Sequence, residues 1–160
     1  MSAFFAEYAR IIVFLHVFAA VIWVGGMIAV RLAVHPSLSI IDEKAQRLEF
    51  VIGVLNRFFL MISPSIVILG LTGIVMMLGL GFKSVPDLYV LVHVKTQIWT
   101  VMAIIYGVIY YRFVKAKKFF NDGELDIAAK YLAPLSKILI PSNIFLGLIA
   151  LMLGVVLRGY

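Results

Sequence analysis

The chain has no cysteine. It can therefore form no disulfide and offers no thiolate to zinc, copper or an iron–sulfur cluster. Charge is scarce too. Asp, Glu, Lys and Arg make up 14% of the 160 residues, well under the quarter that soluble domains carry. The sequence holds no P-loop, no glycine-rich nucleotide loop, no HExxH and no paired nucleophile and base, so hydrolytic and nucleotide-driven chemistry has nothing to stand on. No repeat or low-complexity tract divides the chain, and its length suits one domain, 1–160, without a separate soluble module. A signal peptide is not expected either: Glu7 and Arg10 precede an apolar run that is too long, and no small-residue cleavage site follows.

What the sequence has instead is hydrocarbon. Hydrophobic residues make up 64% of it and the mean hydropathy is +1.10, the composition of an integral membrane protein in contact with the lipid bilayer. A spanning helix needs about 20 apolar residues, and four stretches qualify: Tyr8–Val34, Val51–Leu80, Leu88–Val114 and Ile138–Leu157. The expected fold is all-α, a four-helix transmembrane bundle. Pro64 lies inside the second span between Ser63 and Ser65, whose hydroxyls can serve the carbonyl the proline leaves free, and a kink is expected there.

The formal net charge of +6 would suggest nucleic acid in a soluble protein. Here the basic residues gather in two connections, 35–50 with Lys44 and Arg47, and 115–137 with Lys115, Lys117, Lys118, Lys130 and Lys137. The short connection 81–87 holds only Lys83. The positive-inside rule makes the two basic connections cytoplasmic and both termini periplasmic, in a bacterial inner membrane, and no nucleic-acid partner is expected. A short surface helix over 124–132 is expected after the Asn121-Asp122-Gly123 turn.

Two histidines interrupt the apolar runs. His16 lies in RIIVFLHVFAAVIWVGGM and His93 in YVLVHVKTQIWTVMA. An ionisable ring in hydrocarbon is costly and marks a functional site by default. By the helical rise, His16 lies roughly 12 Å into the first span and His93 roughly 8 Å into the third. Matching depth on diagonal helices suggests two axial ligands to one haem iron. The alternative is that each simply hydrogen-bonds a neighbouring helix. Thr96, Gln97 and Thr100 follow His93 on one helix face, and a polar stripe of this kind is expected to face the bundle interior. His16, Ala19, Ala20 and Trp23 likewise share a face, which reads as a pocket wall. Gly70 and Gly73 on the second helix, with Gly147 and Gly154 on the fourth, either allow close packing or leave room for a flat macrocycle.

Lys95 either snorkels to headgroups or pairs with a haem propionate, with Arg10 or Arg158 as a second partner. Arg57 beside Asn56 reads as deep enough for an interior role. His35 lies about 28 Å along the helix from His16, at the membrane boundary. It reads as a surface histidine, with a ligand of a second haem or metal as the alternative. Met27, Met61, Met76, Met77, Met102 and Met152 are soft donors suited to Cu(I), but they form no Met-x-Met or Met-x-x-Met cluster. Copper is thus the alternative cofactor to haem b. A bis-imidazole haem is six-coordinate and suits electron transfer, which implies a redox partner or a quinone-type acceptor. Small bundles with apolar faces often pair as two-fold homodimers.

The run Leu15-His16, Trp23-Val24-Gly25-Gly26-Met27, Arg31-Leu32 and His35 resembles the first helix of the CopD/HemJ group of small bacterial membrane proteins. His93-Val94-Lys95 resembles the His-x-Lys that opens their third helix, and Arg47–Arg57 resembles the basic entry to the second. The resemblance covers most of the chain. It implies a four-helix membrane protein. HemJ-type members carry haem b and act as oxygen-independent protoporphyrinogen IX oxidases, with the first-helix histidine and the lysine important. CopD-type members handle copper. Tyr110-Tyr111 stands where HemJ-type chains have Tyr-His, Arg10-Ile11-Ile12 replaces their Lys/Trp element, and Pro36 follows His35.

Overall fold

A computed structural model of the chain describes residues 3–81 and 86–158. Lys83 lies outside the described residues. Four long helices account for nearly all of the described chain: α1 (Phe4–Ile40), α2 (Lys44–Gly79), α3 (Pro86–Asn121) and α4 (Leu125–Arg158). There is no strand among the described residues. The architecture is the all-α four-helix bundle expected of the sequence, and all four helices are long and apolar enough to cross a membrane.

At about 1.5 Å per residue these helices are roughly 50 Å long, against about 30 Å of hydrocarbon. A belt without Asp, Glu, Lys or Arg runs through each: 11–30 in α1, 58–79 in α2, 96–111 in α3 and 138–157 in α4. The belts define the part that fits hydrocarbon. Beyond them the helices continue into polar surroundings. The connection expected over 35–50 shrinks to the residues between Ile40 and Lys44. The one expected over 115–137 shrinks to a turn at Asp122 and Gly123, where Gly123 takes φ +79°. The expected surface helix becomes the first turns of α4.

The chain folds as two antiparallel hairpins, α1 on α2 and α3 on α4, joined along α2 and α3. The shared core includes Trp23, Met27, Ile62, Met102, Ile109 and Phe113. Phe59 knits α2 to α3, with ring centroids 4.8 Å from Phe113, 5.3 Å from Tyr110 and 5.8 Å from Tyr106. α2 continues through Pro64; the flanking serines bond their own helix, Ser63 donating to the Phe59 carbonyl at 2.7 Å and Ser65 to that of Met61 at 2.9 Å. At the end of the bundle that holds both termini, Gly79 lets α1 approach α2 so closely that a Cβ would lie 2.4 Å from Phe5 Cγ.

The opposite end, with the two basic connections, is tied by polar contacts. Lys44 pairs with Asp126. Arg112 donates to the carbonyls of Tyr131 and Lys130 at 3.2 and 3.3 Å, and Arg47 Nε to that of Ile41 at 2.9 Å. Arg57 takes no interior role. It is exposed beside Asn56, whose carbonyl accepts from Lys117 at 3.4 Å. Three turns widen to π geometry: Val21–Gly25 and Val30–Val34 in α1, and Leu135–Leu139 in α4. Such turns interrupt regular helices mostly at functional positions.

Candidate functional site

Thr72 on α2 has one hydroxyl proton, and it donates that proton to the Ile68 carbonyl at 2.5 Å, with Leu69 at 3.3 Å. The same oxygen lies 2.8 Å from His16 Nδ1 on α1. Since the hydroxyl has no second proton, the imidazole must be the donor. His16 is therefore held as the Nδ1–H tautomer, and Nε2 keeps a bare lone pair. Beside the ring, a Cβ on Gly73 would lie 3.6 Å from His16 Cε1.

From α3, the residue that faces this point is Lys95. It is partly buried, and its Nζ lies 2.8 Å from where a Cβ on Gly154 of α4 would be. Lys95 has no hydrogen bond or ion pair among the described residues. One turn further along α3, the Trp99 indole lies against Gly70, 2.9 Å from an added Cβ. Its buried Nε1 has no acceptor. In the half of the belt nearer the termini, His16 of α1 thus lies against Thr72 and Gly73 of α2, Lys95 of α3 against Gly154 of α4, and Trp99 of α3 against Gly70 of α2. An imidazole nitrogen, an ammonium and an indole N–H are the kinds of group that hold a metal ion and carboxylates.

The remaining expectations need correction. His93 precedes Lys95 by two residues, or about 200° of helix rotation. His16 turns into the bundle and His93 turns out of it, exposed, with its ring edge-on to Tyr89 at 4.3 Å. The structure does not bring the two histidines together. Thr96, Gln97 and Thr100 are also exposed. The two threonines satisfy themselves on their own helix, donating to the carbonyls of Val92 and Thr96 at 2.9 Å each. The glycine clearings are not vacant: Trp99 fills that of Gly70, His16 that of Gly73, Lys95 that of Gly154, and Val24 with Met102 that of Gly147. Trp23 is buried with its Nε1 unpartnered, its ring edge-on to Tyr106 at 6.5 Å. His35 is exposed at the basic end, on a cavity of about 200 Å³ shared with Arg47 and Ser136. No group of three or more His, Cys, Asp or Glu gathers among the described residues.

Three residues escaped the sequence reading. Thr72 is a lone hydroxyl in an apolar run, and only its contact reveals its role. Trp99 was legible as the residue one turn after Lys95. Asn143 on α4 is fully buried with neither amide atom partnered, and its position after Pro141 concealed that. The chain matches no protein-family model, no curated protein and no solved structure.

Proposed function

We propose that this chain is a membrane-embedded haem b redox protein in which His16 supplies an axial nitrogen. The observation that carries the reading is the His16–Thr72 contact, which engages Nδ1 and not Nε2. Lys95 and Trp99 would hold the propionates. When bound, haem supplies one-electron chemistry whose potential depends on axial ligand and burial. The chain orients the imidazole, provides the positive charge and keeps water away. The distribution of Lys and Arg supports a bacterial inner membrane with the basic end in the cytoplasm. Protein purified from haem-replete cells should be red, with a Soret band and a sharp reduced α-band. A colourless preparation contradicts the reading.

A second reading gains from one specific observation. The resemblance to HemJ-type oxidases implies a role for the first-helix histidine and the lysine, and both are partly buried, His16 packed at Gly73 of α2 and Lys95 at Gly154 of α4. Under this reading the protein is a protoporphyrinogen IX oxidase. Rescue of a strain that lacks this oxidase supports it, and failure to rescue despite good membrane expression removes it while leaving the cytochrome reading intact.

A further inference from the structure

The outward face of α3 carries a groove of about 440 Å³ between Tyr89, Val90, His93, Val94, Gln97, Ile98 and Val101, closed on one side by Leu146 of α4. The groove opens sideways, toward lipid. Its walls are apolar, but His93 and Gln97 stand in it one turn apart, and neither has a hydrogen-bond partner among the described residues. Thr96 and Thr100 beside them need none, because their own helix satisfies them. The unmet demand therefore belongs to the groove itself. A neutral imidazole presents one N–H and a carboxamide presents two. Inside hydrocarbon, an unpaired group of this kind is costly.

We propose that this groove binds the head of a lipid-soluble quinone. The occupant must be flat and apolar enough to lie against Tyr89, Val94 and Val101, and must carry carbonyl acceptors for both His93 and Gln97. A quinone ring meets both demands, with carbonyl oxygens on opposite edges for two side chains whose Cβ atoms stand about 5–6 Å apart along the helix. Acyl chains offer no acceptor at all. The depth also suits it. The uncharged belt of α3 begins after Lys95, so His93 stands at the hydrocarbon boundary and Gln97 one turn inside it. A quinone head resides there with its prenyl tail among the lipids. Lys95 and Trp99 occupy the other side of the same turns, so groove and inner site stand back to back across one helix, roughly 10–12 Å. As the redox partner of the inner site, the quinone rests on the reading proposed above. As a bound ligand it does not.

The test is photolabelling of the full chain in nanodiscs with a short-tailed azidonaphthoquinone, followed by peptide mapping. Saturable label on residues 89–101, displaced by excess unlabelled naphthoquinone, is expected. His93→Leu and Gln97→Leu should each raise the half-saturating concentration about tenfold, the loss of one hydrogen bond. His93→Gln keeps a donor and should stay within about threefold of the parent. Val94→Trp should abolish labelling by filling the groove. Label spread over the lipid-facing residues of all helices without saturation overturns the proposal. So does a disulfide-linked dimer through Gln97→Cys, which in this cysteine-free chain would show that a second copy covers the groove. The absorption spectrum of the same sample separates the two readings. Saturable labelling of colourless protein sustains the groove and removes the haem, and red protein without saturable label does the reverse.

Discussion

At the scale of single residues, the account depends on one proton. Thr72 gives its hydroxyl proton to the backbone, so His16 must give its own to Thr72. Thr72→Val keeps the shape and removes the acceptor. The ring is then free to turn or to change tautomer. Haem affinity should fall about 10–100-fold, the usual loss when an outer-shell partner is removed, while the helical circular dichroism stays unchanged. A titration in which Thr72→Val binds haem like the parent would show that the contact orients nothing. His16 was legible in the sequence because an imidazole amid twenty uncharged residues stands out. Its surroundings were not. The sequence reading turned the stripe of His93, Thr96, Gln97 and Thr100 inward because it is polar. It did not weigh that threonines in a helix can bond to their own carbonyls, nor that the charged Lys95, two residues along, has the stronger claim on the interior.

At the scale of elements, apolar runs locate the spans well and their ends poorly. Hydropathy reports the part in lipid. The helix itself ends where capping and chain reversal demand it, so α1 runs on to Ile40 and α3 to Asn121. Ser63 and Ser65 were legible as flanking Pro64, but their hydroxyls bond the carbonyls of Phe59 and Met61 rather than that of Leu60, which the proline leaves without its amide donor. The π turns left no such trace, since no residue type demands them. The approach of α1 to α2 at Gly79 gives a direct check. Gly79→Ala places a methyl on the Cβ and ring of Phe5, and overpacking of this kind costs about 1–3 kcal/mol. Thermal unfolding in detergent should show a lower midpoint, restored in large part by adding Phe5→Ala. No change in midpoint would mean that the two helices are not seated as described.

At the scale of the whole molecule, two hairpins form one bundle with contrasting ends. Lys44, Arg47, Arg112, Lys115, Lys117 and Lys118 gather at one end, and the termini occupy the other. Reporter fusions at Ser39 and Asp122 should read cytoplasmic, and a fusion at Lys83 periplasmic. The opposite pattern would place the His16 site in the cytoplasmic leaflet and end the positive-inside argument for this chain. The four helices and the class of fold follow from the four long apolar runs, each about long enough for a helix to cross hydrocarbon and too long for one strand. Which faces meet was beyond composition, because it depends on small clearances such as those at Gly70, Gly73 and Gly154, each filled by a particular side chain of another helix.

The central claim is that His16, and not His93, presents its imidazole to the cofactor. Haem content per protein of His16→Ala and His93→Ala, measured as the pyridine haemochrome on equal amounts of folded, membrane-extracted protein, tests it most directly. The account expects His16→Ala to lose nearly all haem and His93→Ala to retain it, because His93 lies on the far side of its helix beside Tyr89. Full haem in His16→Ala, or loss of haem in His93→Ala, would contradict the assignment.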